Sequence, residues 1–186
     1  MCLRFFMFKL LKAYKDYDPA AKSYLEILLL YPGVKATCLH RCAHQLYIWG
    51  IPFFPRAINE FARFLTGIDI HPGAKLGDCV MIDHGMGVVI GETAIVGENV
   101  LIYQGVTLGG TKLSHGKRHP TIENGVVVGA GAKVLGDITI GEGTRIGSNS
   151  VVVANIPPHS TVVGIPGKII NKGVHPGEEL NHDQIT

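Results

Sequence analysis

Six residues separate Ile122 from Val128, and the same step leads on to Val134, Ile140, Ile146 and Val152. All six are β-branched aliphatics. Gly129, Gly141 and Gly147 directly follow three of them, and Ala132, Thr144 and Ser150 stand four places after three of them. An α-helix does not repeat every six residues, and a half-buried strand repeats every two. Aliphatic, glycine, then small residue is the hexapeptide pattern of a parallel β-helix. Each hexapeptide makes one short flat side and three make a triangular coil, with the aliphatic side chain inside and the glycine at the turn.

The period also runs upstream, through Ile70, Leu76 and Ile82, and then through Ile90, Val96, Ile102 and Leu108. The phase slips by two residues between Ile82 and Ile90, and again between Leu108 and Ile122. Insertions in a solenoid re-aim side chains or let a loop leave the wall. The first break carries Asp83-His84-Gly85 and the second Lys117-Arg118-His119-Pro120. The unusual chemistry sits where the repeat breaks.

Composition changes near residue 66. All seven Phe, the single Trp and five of six Tyr lie at or before Phe64, whereas twenty-two of twenty-four Gly lie from Gly67 onward. The first part reads as helices: Asp18 as N-cap with Pro19 at the first position of a helix over 20–30, a second helix over 34–49, and a third over 55–65 closed by Thr66-Gly67. The apolar start, Phe5 to Phe8, is interrupted by Lys9 and Lys12 and lacks a small-residue cleavage site, so it reads as part of the fold. The fold class is α+β, a helical domain over 1–66 before a β-helix over 67–170 and a tail over 171–186.

Net charge is +2 and no basic run exceeds two residues, which argues against nucleic acid as a partner. The longest apolar stretch, from Ile27 to Tyr31, is too short to span a bilayer. Four cysteines without an export signal point to a reducing cytoplasm rather than a disulfide framework. Cys38 and Cys42, like His40 and His44, are four apart, so on a helix the two pairs face different ways and read as packing rather than metal ligands.

His84 is the candidate general base, since a near-neutral imidazole can take a hydroxyl proton. Asp69, fifteen residues earlier, lies close to one coil away and can orient the ring. Arg118 and His119 offer a grip for a carboxylate, or a solvated basic loop beside Lys112, His115 and Lys117. Asp18 is an N-cap or a partner for an ammonium group. Gly109-Gly110-Thr111 is too short a glycine cluster to carry a meaning alone, though on a β-helix its backbone could approach a long ligand lying along the wall.

On these elements the chain resembles the serine acetyltransferases: Gly67-Ile68-Asp69-Ile70-His71-Pro72, Ile82-Asp83-His84-Gly85, Val89-Ile90-Gly91-Glu92-Thr93-Ala94, Val106-Thr107-Leu108-Gly109-Gly110-Thr111, Arg118-His119-Pro120 and Pro157-Pro158-His159. The resemblance implies a left-handed β-helix and transfer of acetyl from acetyl-CoA to the L-serine hydroxyl, opening cysteine biosynthesis, with no metal. It implies His84 as base and Asp69 as its dyad partner, Asp83 and Asp18 at the serine amino group, and Arg118 and His119 at its carboxylate. Gly110, Ala130 and Arg145 fall where the family lines the acetyl-CoA groove, Arg145 replacing a common lysine. It further implies sites between the β-helices of a homotrimer and feedback inhibition by L-cysteine. The helical part is about half that of long members, which favours a trimer over a hexamer. Isoleucine stands next to last rather than last, which weakens the expected docking to O-acetylserine sulfhydrylase. A sugar or antibiotic acetyltransferase suits the acid and base set less well. A metal-dependent hydratase lacks a third converging imidazole. A non-catalytic scaffold does not explain an intact Asp69, His84 and His119.

Overall fold

A computed structural model describes residues 3–113 and 115–172. Short strands, mostly of two residues and six apart, pair with the third strand onward, giving three sheets of five, four and six strands that are parallel throughout except for the last strand of the six, Lys168–Lys172, which is antiparallel. Asp69 pairs with Val89, Val89 with Thr107, Thr107 with Lys133 and Lys133 with Val151. Successive coils therefore take twenty, eighteen, twenty-six and eighteen residues. The first break adds two residues to a coil and the second adds eight, a whole hexapeptide more than its phase alone reveals.

The periodic aliphatics, from Ile70 through Val152, fill the interior. A second ring of smaller residues, among them Ala74, Ala94 and Ala132, packs between them, joined by the buried hydroxyls of Thr144 and Ser150. Flat sides of six residues leave room for one branched chain and one small one, so the repeat is a packing requirement.

Four helices precede the coils: α1 (Leu3–Tyr17), α2 (Tyr24–Leu30), α3 (Pro32–Ile48) and α4 (Phe54–Thr66). Asp18 does not cap α2. Ser23 does, accepting from the Glu26 amide at 3.1 Å, while Glu26 reaches back to the Lys22 amide at 3.0 Å. This reciprocal Ser–Glu arrangement satisfies two free amides and sets the start of α2. Pro32 opens α3 instead of only ending α2, because a first-turn proline forfeits no hydrogen bond. The third expected helix matches α4 within a residue, and Gly67 closes it at φ +70°.

The helices cover the first coil and hold its functional corner. Met81–Ile82 is the outermost strand of the six-stranded sheet, with an open hydrogen-bonding edge. The Tyr14 hydroxyl, on the buried face of α1, accepts from the Ile82 amide at 2.8 Å and donates to the Ile82 carbonyl at 3.1 Å. Gly33 of α3 is packed so closely here that a methyl group would sit 2.2 Å from the Ile82 carbonyl oxygen.

Cys38 packs near the Met7 sulfur and His40 stacks on His44, whereas Cys42 is exposed rather than a core residue, because it lies on the outer face of α3. The backbone of Ala74 and His71 lies beside His40, but neither ring nitrogen has an aligned partner. Burial, reinforced by the nearby His44 and Arg41, pushes its pKa down to about 3. The folded state thus holds a neutral ring, while the unfolded chain takes up a proton below about pH 6.5. This contribution to stability is complete above that pH and is lost as pH falls toward the folded value. Denaturant unfolding should show a loss of about 2 kcal/mol from this group between pH 7.5 and 5. In His40→Gln the pH dependence should be flatter by that amount.

Among the described residues no helix is long and apolar enough to cross a membrane, and no cluster of three His, Cys, Asp or Glu side chains is placed to hold a metal ion.

Candidate active site

His84 stands on the corner that follows the Met81–Ile82 strand, in the left-handed region at φ +56°. The two-residue insertion makes this corner protrude, and its imidazole is 72% exposed. Asp83 lies beside it, with Oδ2 3.8 Å from His84 Nε2 and Oδ1 accepting from the His84 amide at 2.9 Å. The Tyr17 hydroxyl, 2.5 Å from that of Tyr103, donates weakly to Asp83 at 3.4 Å.

Asp18 faces this corner. Its Oδ1 accepts from the Ala20 amide at 2.8 Å, and its Oδ2 accepts from the Tyr31 hydroxyl. These two donors hold its carboxyl below the ordinary range. Asp18, Tyr31, Pro32, Ile82, Asp83 and His84 line one cleft of about 340 Å³. Two carboxylates and an imidazole on one cleft can receive an ammonium group with a hydroxyl next to it.

Asp69 lies at the same edge one coil below: Ile68 packs so tightly under Gly85 that a methyl group there would lie 2.5 Å from it. The coil is twenty residues long here, so Asp69 stands beneath Val89, and the His84 corner comes just before that strand. Asp69 accepts from Asn59 Nδ2 at 3.0 Å and lies 3.7 Å from Arg63 Nη1, both on α4. Among the described residues no ion pair joins Asp69 to His84.

Arg118 and His119 end the loop after Thr107–Gly109 and stack on the corner that follows Val89–Ile90, at the opposite edge of the same flat side. Arg118 Nη2 meets Glu92 Oε2 at 2.5 Å and holds the Glu92 carboxyl below its usual range. His119 is buried, and burial, followed by the Arg118 charge, lowers its pKa. Thr93 anchors the loop: its carbonyl accepts from Lys117 Nζ at 2.8 Å, and its Oγ1 from the Arg118 and His119 amides at 3.0 and 3.1 Å. Beside this corner lies a separate cleft of about 320 Å³, which shares no residue with the one at His84. The acidic half-site with His84 and the basic half-site thus lie on two edges of one flat side, with no hydrogen bond or ion pair between them among the described residues.

The expected acetyl-CoA residues divide the same way. Gly110 lies against Arg118 and His119. Ala130 lies on the His84 edge, further along, where Met86, Gln104 and Ala130 carbonyls bond successive coils. Arg145 lines a groove of about 330 Å³ with Tyr17, Asn99 and His159. Sequence reasoning gave no role to Tyr17, Tyr31, Tyr103, Glu92 or Thr93. Glu92 and Thr93 lie in a segment that carries the resemblance, whereas nothing local marks the tyrosines.

The bacterial transferase hexapeptide pattern (six repeats) matches residues 119–154. Over 168 residues the chain is 59% identical to the serine acetyltransferase of Synechococcus elongatus, covering 90% of this chain and 69% of that one. The chain belongs to the serine acetyltransferase family. The family's Bacillus subtilis member is 53% identical, with 91% of this chain and 79% of its own length matched. The Neisseria gonorrhoeae serine acetyltransferase solved in complex with serine superposes at a TM-score of 0.87 and 42% identity, over 90% of this chain and 69% of that one. A serine acetyltransferase solved in complex with cysteine superposes at 0.88 and 37% identity, over 90% and 65%. The fold is the family's left-handed parallel β-helix behind a helical cap.

Proposed function

We propose that this chain transfers the acetyl group of acetyl-CoA to the hydroxyl of L-serine, giving O-acetyl-L-serine and CoA at the start of cysteine biosynthesis. The observation that carries the proposal is the cleft shared by Asp18, Asp83 and His84. It suits an amino acid whose ammonium and hydroxyl groups lie on neighbouring carbons, and the identity to named serine acetyltransferases supports the same substrate.

In this reading Asp18 and Asp83 receive the ammonium group, and Arg118 and His119 the carboxylate. His84 takes the hydroxyl proton as the serine oxygen attacks the thioester carbonyl, and Asp69 stabilises the resulting imidazolium. As the carbon–sulfur bond breaks, the thiolate of CoA takes that proton, so direct transfer in a ternary complex balances without an acyl-enzyme. Gly110, Ala130 and Arg145 contact acetyl-CoA.

The two half-sites on opposite edges are joined when one chain's His84 edge faces the next chain's Arg118 edge, as in a homotrimer with three sites. L-cysteine, which shares serine's ammonium and carboxylate, competes for the same cleft. The division into 1–66, 67–170 and 171–186 and a cytoplasmic location complete the reading. Residues 173–186, which hold the end of the tail and its expected sulfhydrylase contact, lie outside the described residues.

Release of CoA thiol from acetyl-CoA, measured across a panel of acceptors, tests the assignment. Serine is expected to support release, and cysteine to inhibit it competitively with serine. Release with a sugar or an amine but none with serine overturns it.

A further inference from the structure

Thr93 makes more contacts to the basic half-site than loop anchoring requires. Its amide donates to His119 Nδ1 at 3.2 Å, and its Oγ1 lies 2.9 Å from the same nitrogen. Oγ1 already accepts from two backbone amides, those of Arg118 and His119. Both its lone pairs are thus engaged, and its one hydroxyl proton is left to point at Nδ1. Nδ1 therefore faces two donors and must present a lone pair, which leaves the ring proton on Nε2. A proton on Nδ1, in the other tautomer or the imidazolium, would collide with both donors.

The Nε2 side of the ring packs on two glycines: a methyl group on Gly91 would lie 2.1 Å from Nε2 and one on Gly110 3.5 Å from it. Nε2 has no hydrogen-bond partner among the described residues and is not one of the sealed, unpaired nitrogens. A ring fixed at Nδ1, with an available Nε2–H beside Arg118, is a directed donor. We propose that Thr93 is the positioning residue that holds His119 as the neutral Nε2–H tautomer, making it a fixed hydrogen-bond donor to the carboxylate of the amino-acid substrate.

The substrate part of this inference rests on the serine acetyltransferase reading, and the tautomer does not. A neutral donor adds direction without adding charge, so discrimination between substrate carboxylate and other anions falls to geometry. Low pKa agrees with this: the buried ring next to Arg118 resists a second proton.

The test pairs ¹⁵N spectra of histidine-labelled protein, with His119 assigned by its loss in His119→Gln, with steady-state kinetics. The wild type is expected to show His119 as the Nε2–H form at pH 7.5. Thr93→Val, which keeps the shape and removes the hydroxyl, is expected to raise serine KM about tenfold with kcat changed less than about twofold. Thr93→Ser is expected to restore KM. A wild-type His119 that carries its proton on Nδ1, or both protons, overturns the proposal, as does a folded Thr93→Val with unchanged KM. If Thr93→Val fails to fold, the wild-type spectrum decides alone. Failure of serine-dependent transfer by the wild type overturns the acetyltransferase reading instead, and the spectrum still decides the tautomer.

Discussion

Replacing His84 lowers kcat about a thousandfold, the middle of the range for loss of a general base, and leaves acetyl-CoA affinity close to wild type. The size follows from what His84 does not do. Its side chain is 72% exposed and no hydrophobic neighbour depends on it, so truncation removes chemistry rather than packing. The choice of replacement matters, because the backbone here is left-handed at φ +56°. Alanine in that region costs about 1–2 kcal/mol, whereas asparagine adopts it readily. His84→Asn therefore separates loss of the base from distortion of the corner. Thiol-release kinetics, set beside acetyl-CoA binding by calorimetry, check the expectation. A His84→Asn enzyme retaining more than about a tenth of wild-type kcat would remove His84 from the base role.

The repeat was legible because its cause is local and periodic: a flat side of six residues accepts one branched aliphatic, so each coil writes its own signature. The breaks at 83–85 and 117–120 were legible for the same reason, as failures of that signature. The length of the second was not, since phase reports an insertion only modulo six and eight residues look like two. That ambiguity hid the contacts of Arg118 with Glu92 and of His119 with Thr93. The coil there takes twenty-six residues, which is the separation of Thr93 from His119 and of Glu92 from Arg118, so each pair is stacked on neighbouring coils. With the coil length known, both contacts follow from arithmetic.

Asp18 failed in the other direction. Asp-Pro is a helix-start signal, but Ser23 and Glu26 form a reciprocal pair five residues on and took the role. Freed from the cap, Asp18 turns to Tyr31 and the His84 cleft. Tyr17 and Tyr103 are brought together across eighty-six residues by the docking of α1 on the coils, which no local pattern records.

Two inactive variants, combined, should make an active enzyme. Arg118→Ala removes the cation of the carboxylate grip and should raise serine KM about a hundredfold, the upper range for a charged hydrogen bond. His84→Asn removes the base. If the two edges that carry these residues complete each other only between chains, a closed trimer containing both variants has three interfaces. In either composition, one of the three pairs an intact His84 with an intact Arg118. Co-expressing the variants with different tags and purifying on both selects these hybrids, whose expected activity at a low serine concentration is about a third of wild type. Each parent alone should stay at about 1% or below under the same conditions. If the site were complete within one chain, every chain in the hybrid would lack one essential group and mixing would recover nothing. His84 before the Val89–Ile90 strand and His119 against Gly91 after it stand on opposite edges of one flat side, which predicts the first outcome, and the hybrid assay measures the separation of the half-sites directly.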